Sequence, residues 1–311
     1  MQPFSDRLAY QIRHKKNPVL VGLDPRWAQI PDKLKEGKSE NNPKDVADVF
    51  ECFCKGVVDV VSPLVPAVKP QSAFFEQYGP LGMQCLANII RYASEKGLLV
   101  ILDAKRNDIG STATAYANGL IGPNFSSPWG ADALTVSPYL GDDSLTPFVD
   151  VANKRGGGLF ILVKTSNKGG AKFQDLLVDG VPLYRHVCSY VESLALESVQ
   201  KTMTKCGYGN IGAVVRATWP EQLAELRAAA PRSWFLVPGY GSQGGGAKDV
   251  AGAFDENGLG AIINNSRGVI FAFRSDAYSE KFGEKYWENA VEAATRDMIS
   301  ALTAETTVSK L

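Results

Sequence analysis

The segment VILDAKRND, residues 100–108, begins with apolar residues and then places Asp103, Lys105 and Asp108 within six positions. A short, continuous apolar run of this kind is typical of a parallel strand that is covered on both faces. The charges follow where the apolar run ends, at Asp103, Lys105 and Asp108. The segment therefore predicts a buried strand that delivers charged groups to its carboxyl end.

Similar apolar runs recur along the chain, and together with this one they number eight. They lie at residues 19–24, 66–70, 98–103, 131–136, 159–164, 211–217, 234–239 and 261–266. Helical stretches lie between them, among others at residues 44–62, 80–96, 182–205, 219–229 and 284–303. A strand-then-helix order repeated eight times in 311 residues predicts an α/β fold, a closed (β/α)8 TIM barrel.

We expect residues 1–311 to form a single barrel domain, because no Pro-, Ser- or Gly-rich linker and no change of composition marks a boundary. The polar stretch at residues 32–45 is predicted to be a surface insertion, with the next helix beginning near Asn42 or Pro43. A doubly wound sheet with an appended domain is the alternative that the same pattern leaves open.

The charge balance and the cysteine content limit the classes of partner and location. Lys plus Arg and Asp plus Glu number 33 each, so no basic surplus favours a nucleic acid or a membrane surface as partner. No apolar run approaches membrane-spanning length, and the N-terminus lacks an apolar leader. The five cysteines are scattered and odd in number. We therefore expect a cytoplasmic protein.

Charged residues stand at the ends of most of the predicted strands. They are Asp24, Lys69, Asp103, Lys105, Lys164, Arg216 and Arg267. Barrel enzymes carry their chemistry at this end of the strands. Because side chains two positions apart in a strand share a face, we expect Asp103 and Lys105 to point the same way. Lys69 from the neighbouring strand and Asp108 from the following loop are expected to lie close to them.

Such a cluster balances its own charge without a metal, since opposite charges about 4 Å apart attract by roughly 4 kcal/mol at an effective dielectric of about 20. An ion-pair network that only closes the barrel mouth is the structural alternative. The two histidines, His14 and His186, have no partner at ligand spacing, and Cys52 and Cys54 face different ways on a predicted helix. The sequence therefore predicts neither a bound metal nor a Ser-His-Asp triad.

Seven segments carry, in order and spacing, a resemblance to a known family. They are VGLDPRW (21–27), AVKPQSAFFEQYG (67–79), DAKRNDIGSTATAYA (103–117), TVSPYLGDDS (135–144), VKTSN (163–167), VPGYGSQGGG (237–246) and NNSRG (264–268). Together they resemble the orotidine 5′-phosphate decarboxylases, and most closely their longer bacterial, or type 2, subfamily. Related phosphosugar decarboxylases and synthases share the D-x-K-x-x-D core, whereas KPQSAFFE and PGYGSQGG point to this subfamily.

The resemblance implies decarboxylation of orotidine 5′-monophosphate to uridine 5′-monophosphate in pyrimidine biosynthesis, without a cofactor. It implies that Lys105 protonates the C6 carbanion, that Asp103 faces the departing carboxylate, and that Lys69 holds Asp103 and the ribose. It also implies that Asp108 reaches the ribose hydroxyls from the partner subunit, and hence a homodimer with shared active sites.

Five further residues are implied to bind the substrate. Asp24 would bind the ribose hydroxyls, and Thr112 would reach across the dimer interface. Ser166 would bond the pyrimidine edge, Gln243 would bridge phosphate and base from a glycine-rich lid, and Arg267 would bind the phosphate.

Two other functions remain open on the sequence. A phosphosugar aldolase or related decarboxylase on the same barrel would use Mg²⁺ at Asp103 and Glu76, or a Schiff base at Lys69 or Lys164. A nucleotide-binding barrel without catalysis would give no reason for the intact charged cluster. The partner that the resemblance implies is a small-molecule nucleotide, orotidine 5′-monophosphate.

Overall fold

The eight apolar runs form eight parallel strands that close into a barrel. The computed structural model describes residues 1–123, 126–217, 219–241 and 244–311. In these residues the barrel strands are β1 (Val19–Leu23), β2 (Ala67–Pro70), β3 (Leu99–Arg106), β4 (Ala133–Val136), β5 (Gly158–Lys164), β6 (Ile211–Val215), β7 (Phe235–Val237) and β8 (Ala261–Asn265). Each strand pairs with its neighbours in the chain, and β8 returns to β1 with Val19 opposite Ile263. The predicted TIM barrel is confirmed.

Helices cover the outside of the barrel. The longer ones are α1 (Phe4–Lys15), α2 (Pro43–Val61), α3 (Gly79–Glu95), α4 (Gly110–Leu120), α5 (Asp142–Arg155), α6 (Leu183–Thr202), α7 (Pro220–Ala229) and α8 (Trp287–Glu305). Short helices span Asp32–Lys35, Ala73–Glu76, Ala171–Gln174, Arg267–Ile270 and Asp276–Ser279. Short 3₁₀ helices span Trp27–Gln29, Lys168–Gly170, Lys248–Ala253, Ala272–Arg274, Glu284–Tyr286 and Thr307–Lys310.

Helix α2 shows how the sequence sets these elements. Its buried residues include Val46, Phe50, Phe53 and Val57, at the three- and four-residue spacing of one helix face. The Asn42 side chain accepts a hydrogen bond from the backbone N–H of Lys44, and Pro43 occupies the first turn. The predicted helix start near Asn42 is confirmed.

The N-terminal end of the barrel is filled by apolar side chains. Ile101, Phe160 and Ile262 belong to one buried cluster, and Phe4 of α1 joins it with its ring edge-on to Phe160 at 6.0 Å. Helix α1 therefore covers this end. The polar groups that the strands carry two residues further along must lie at the opposite, carboxyl end.

Two segments extend beyond the strand-and-helix repeat. Residues 32–45 contain the helix Asp32–Lys35 and an exposed stretch in which Lys38 pairs with Asp45 and Asp48. Between β5 and α6, a small antiparallel hairpin pairs Leu177–Val178 with Val181–Pro182. None of the helices in the described residues combines the length and the apolar character needed to cross a membrane.

Candidate active site

Lys69 and Asp103 stand in the floor of the barrel mouth. Ala67 and Ile101 belong to the buried cluster at the other end, and the two charged residues follow them by two positions on β2 and β3. Strand alternation therefore turns both side chains into the barrel. Both residues are buried. A buried charge is tolerated only where it is paired and hydrogen-bonded, so their surroundings must supply partners.

Asp103 receives four hydrogen-bond donors in this chain. Its Oδ2 accepts from Lys69 Nζ at 2.6 Å and from Gln71 Nε2 at 3.0 Å. Its Oδ1 accepts from Lys105 Nζ at 2.6 Å and from Thr135 Oγ1 at 2.9 Å. A carboxylate offers about four acceptor positions, so these donors fill it. The structure confirms that Lys69, Asp103 and Lys105 come together.

The pKa values of the pair follow from this arrangement. Burial by itself raises the pKa of Asp103, but the ammonium groups of Lys69 and Lys105 outweigh it and hold the pKa well below its ordinary value. Burial by itself lowers the pKa of Lys69, and here the carboxylates of Asp103 and Asp24 outweigh it and raise the pKa. Asp103 is therefore ionised, and Lys69 is protonated, at neutral pH.

Lys105 reaches Asp103 by a different backbone path from the regular strand that the sequence predicts. The pairing of β3 with β4 shifts register between Leu102 and Arg106, and Lys105 has φ of +46°. The backbone N–H of Lys105 donates to Thr135 Oγ1 at 3.0 Å. The regular-strand expectation is wrong at this point, because a bulge with a left-handed residue turns the end of β3. The bulge leaves the Lys105 side chain 46% exposed, facing the open mouth.

A cavity of about 410 Å³ opens above the cluster. It is lined by Lys69, Asp103, Lys105, Thr135, Leu162, Thr165, Ser166, Asn167, Gln174, Val214, Leu236, Pro238 and Asn264. Its volume lies in the range of pockets that hold a small organic ligand. Ser166, predicted as a substrate-binding residue, stands on its wall.

Three polar residues at strand ends contact Asp103 or the cavity without having been predicted from the sequence. Gln71 follows Lys69 by two positions, Thr135 follows the interior residue Ala133 by two, and Asn264 follows Ile262 by two. The two-residue alternation of each strand was the signal that could have identified them. Uncharged polar residues are common at strand ends, so only their contacts with Asp103 or the cavity distinguish them.

The structure does not bring Asp108 and Thr112 into the cluster of their own chain. Asp108 lies after the end of β3, and its carboxylate accepts a hydrogen bond from the backbone N–H of Ile109 at 2.8 Å. Thr112 is exposed on α4, where it lines a separate surface cavity with Arg106 and Trp129. Neither residue lines the cavity above Asp103.

The other predicted binding residues lie at the ends of β1 and β8. Asp24 follows β1, and its Oδ1 is buried without a hydrogen-bond donor among the described residues. Arg267 is exposed at the start of the short helix after β8, and it lines a cavity of about 610 Å³ with Tyr240, Gly241 and Asn265. Gln243 lies outside the described residues. The structure thus places Asp24 and Arg267 at the carboxyl end of the barrel, where the cluster also lies.

The described residues contain no group of three or more His, Cys, Asp or Glu side chains placed to hold a metal ion. Glu76, the second ligand of the metal-dependent alternative, pairs with Arg106 and accepts from the Ser72 hydroxyl. Both contacts are made by Glu76 Oε1, and neither partner is a side-chain donor to Asp103.

A closed barrel with an ion-paired cluster around a buried carboxylate at the carboxyl ends of its strands has the architecture of an enzyme. The model of one family, described as Orotidine 5′-phosphate decarboxylase / HUMPS, matches residues 17–281, and the chain belongs to this family.

Curated relatives and solved structures agree with this assignment. An orotidine 5′-phosphate decarboxylase from Rhodopirellula baltica is 50% identical over 301 residues, which cover 96% of this chain and 98% of the relative. One from Caldicellulosiruptor bescii is 39% identical over 291 residues, covering 90% and 93%. The solved structure of Leishmania donovani OMP decarboxylase is 32% identical, with a TM-score of 0.74 and coverage of 98% of each chain. The similarity therefore spans nearly the whole length of these proteins.

Proposed function

We propose that this chain decarboxylates orotidine 5′-monophosphate to uridine 5′-monophosphate at the cluster of Lys69, Asp103 and Lys105. The decarboxylase activity follows from the family and from relatives that carry this name over nearly their full length. The observation that carries the choice of site is the ionised Asp103, held between two ammonium groups on the wall of a cavity of ligand size.

The chemistry requires strong electrostatic stabilisation. When the C6–carboxylate bond breaks, CO₂ leaves and the electron pair stays on C6 in an orbital that the ring carbonyls do not delocalise. The barrier must fall by about 20 kcal/mol, near the upper end of what enzymes achieve. A preorganised cation beside C6 acts on this developing charge at no cost of reorganisation.

Lys105 is suited to this role because it combines a fixed position with access to the mouth. Its Nζ is held 2.6 Å from Asp103 Oδ1, and its side chain is half exposed. We assign to it stabilisation of the carbanion and then transfer of a proton from Nζ to C6, after which water restores the ammonium. Asp103 would face the substrate carboxylate, whose charge disappears as CO₂ forms, and Lys69 would hold Asp103 in place.

The remaining assignments concern binding. Asp24 has an unsatisfied, buried carboxylate oxygen that a ribose hydroxyl would satisfy. Arg267 follows β8, where barrels commonly bind phosphate, and its guanidinium suits a phosphate dianion. Ser166 lines the cavity and is assigned to the pyrimidine edge, and Gln243 to the bridge between phosphate and base.

A homodimer accounts for Asp108 and Thr112. Neither residue lines the cavity above the cluster of its own chain, and Thr112 is exposed, so we assign both to the site of a second subunit. We therefore propose shared active sites, with Asp108 of the partner subunit near the ribose. All five cysteines are unpaired, which fits a reducing cytoplasm.

The metal-dependent aldolase is the less supported alternative. Four donors already occupy the oxygens of Asp103, and Glu76 is paired with Arg106. Asp103 therefore offers no ready lone pair to Mg²⁺, and Glu76 would have to leave its partner. The observed arrangement needs no such rearrangement to act on a carboxylate at C6.

The test is the ultraviolet change as purified protein converts orotidine 5′-monophosphate to uridine 5′-monophosphate in the presence of a chelator. We expect full activity after exhaustive dialysis against the chelator, because the cluster supplies its own charge. Loss of turnover on dialysis, with recovery on adding Mg²⁺, would instead favour the metal-dependent alternative.

A further inference from the structure

Strand β5 ends in a buried lysine that the proposed chemistry does not use. The Lys164 side chain is only 2% exposed, and its Nζ donates to Asp175 Oδ1 in the following segment. The same Nζ lies 4.7 Å from the centre of the Tyr184 ring at the start of α6. Lys164 does not line the cavity with Leu162 and Thr165, its neighbours in the chain. The ammonium is therefore directed at the segment after β5 and not at the ligand space.

A second contact joins Thr165 and Gln174, which are next to Lys164 and Asp175 in the chain. The backbone N–H of Thr165 donates to Gln174 Oε1 at 3.1 Å, and Gln174 Nε2 donates to Thr165 Oγ1 at 2.8 Å. Gly170 packs into this contact so closely that a β-carbon would lie 2.9 Å from Thr165 Oγ1 and 3.1 Å from Gln174 Oε1. The segment is thus fastened at Lys164–Asp175 and at Thr165–Gln174, a pair of contacts that we call the β5 clip.

The β5 clip encloses part of the cavity wall. Ser166 and Asn167 lie between its two ends in the chain, and both line the cavity, as does Gln174 itself. The apolar side chains beside Gln174 and Asp175 hold the segment weakly, because Phe173, Leu176 and Leu177 are each more than half exposed. With few buried apolar contacts, a segment of this kind owes its position to its polar contacts.

We propose that the β5 clip positions Ser166 and Asn167 against the base of the nucleotide, which makes Lys164 and Asp175 positioning residues for substrate binding. This proposal rests on the proposed function, since it names the part of the substrate that the segment contacts. The clip acts on the base side of the cavity, whereas Arg267 is assigned to the phosphate. Lys164 is accordingly not a Schiff-base nucleophile.

The experiment compares two competitive inhibitors, uridine 5′-monophosphate and ribose 5-phosphate, which lacks the base. The first variant is Lys164→Met, because Met keeps most of the aliphatic stem beside Tyr184 and the Asp175 carboxylate left behind is 42% exposed and stays hydrated. We expect the KM for substrate and the inhibition constant of uridine 5′-monophosphate to rise about tenfold, as for loss of binding contacts. The inhibition constant of ribose 5-phosphate should stay within about twofold of wild type, because the phosphate contacts are untouched.

Two further variants keep the proposal testable if Lys164→Met folds poorly. Gly170→Ala disturbs the Thr165–Gln174 half without removing a charge, and should show the same selective loss for the base-containing inhibitor. The double variant Lys164→Met/Asp175→Asn should show inhibition constants no higher than those of Lys164→Met alone, because both changes remove the same contact. The matched control is Lys172→Met, an exposed lysine of the same segment, which should behave as wild type.

Three results would overturn the proposal. The first is wild-type inhibition constants in the folded Lys164→Met and Gly170→Ala variants. The second is an equal weakening of both inhibitors, which would indicate a general disturbance of the site and not a base-side contact. The third is borohydride trapping of substrate on wild-type protein that Lys164→Met abolishes. Arg267→Ala should weaken both inhibitors, so its result and the assay in chelator test the proposed function separately.

Discussion

Asp103 is the residue on which the charge balance of the site depends. It pairs with Lys69, whose side chain is buried, and with Lys105, whose side chain is half exposed. Removing one partner of a buried ion pair leaves an uncompensated charge in the interior, whereas a half-exposed charge can be hydrated. The two lysines therefore depend on Asp103 to different degrees.

Replacement of Asp103 and of Lys105 should separate stability from activity. We expect Asp103→Asn to lower the free energy of unfolding by roughly 3–5 kcal/mol, because Lys69 stays charged and buried. Lys105→Ala should lower it by about 1 kcal/mol or less, yet abolish measurable decarboxylation. Urea unfolding and the ultraviolet assay measure the two effects. Equal destabilisation by both changes would show that Lys105 is as much a structural ion-pair partner as Lys69.

The lowered pKa of Asp103 predicts how this stability difference changes with pH. Burial opposes ionisation, but Lys69 and Lys105 outweigh it and hold the pKa of Asp103 below its ordinary value of 3.8. A group with a lowered folded-state pKa stabilises the fold above its unfolded pKa, and loses that effect as pH falls toward the folded value. The difference between wild type and Asp103→Asn should be constant above about pH 5 and shrink below about pH 4, by at most about 1.4 kcal/mol per pH unit. Urea unfolding over a pH series measures it, and a difference that widens in acid would contradict the assignment.

At the scale of the element, the bulge at the end of β3 decides where the Lys105 amine goes. A non-glycine residue with φ of +46° is strained, and here the contact with Thr135 supports it. Both Lys105→Ala and Lys105→Gly remove the amine, so both should be inactive. Since Gly adopts positive φ without strain, Lys105→Gly should be more stable than Lys105→Ala by about 0.5–1 kcal/mol.

The control for this prediction is Ala104→Gly, at a neighbouring strand position that is not among the described residues with positive φ. There glycine should cost about 0.5–1 kcal/mol, as it does in an ordinary strand. Urea unfolding of the three variants measures both effects. If glycine destabilises both positions equally, the left-handed conformation of Lys105 does not determine the geometry of the site.

Most elements could be predicted from the sequence because their signals are local. Each apolar run overlaps one observed barrel strand, since continuous apolarity reports burial on both faces. Helix α4 gave a weak signal, because GSTATAYANGL lacks strong apolar residues at helical spacing. The hairpin of residues 177–182 was missed, although Asp179 and Gly180, both at positive φ, form the Asp-Gly pair typical of such a turn.

At the scale of the whole molecule, the position of Asp108 predicts that the active site is shared between subunits. If Lys105 acts in its own barrel and Asp108 acts across the interface, Lys105→Ala and Asp108→Ala homodimers should each be nearly inactive. A mixed dimer contains one site with both defects and one site with neither. Random exchange makes about half of the dimers mixed, so about a quarter of wild-type activity should return, given the two-fold symmetry usual for homodimers.

The ultraviolet assay on the exchanged mixture measures this recovery, and mass spectrometry verifies that subunits have exchanged. The control mixture combines Lys105→Ala with Lys69→Met, two defects of the same barrel, and should stay inactive. An exchanged mixture of Lys105→Ala and Asp108→Ala that is as inactive as its parents would place Asp108 in its own barrel.

The sequence by itself determined the number of strands, their order, the family and the set of charged residues at the strand ends. These properties depend on apolar runs, spacing and motifs, which are local and can be identified without the three-dimensional contacts. It also predicted correctly that Lys69 and Asp103 meet, because strand alternation and the adjacency of β2 and β3 need no further information. Lys105 joins them as predicted, but through a bulge and not through the regular strand that the sequence indicates.

Only the tertiary structure decided the backbone path by which Lys105 reaches Asp103, and which strand-end charges pair elsewhere. Lys105 reaches Asp103 through a bulge. Lys164 also ends a strand, but it pairs with Asp175, and its neighbours Leu162 and Thr165 line the cavity instead. Gln71 and Thr135 complete the shell of Asp103 from two different strands. Such choices depend on interstrand register, on backbone angles at single residues and on where a loop folds back. No short stretch of sequence contains them, because each contact is a balance between groups that are distant in the chain.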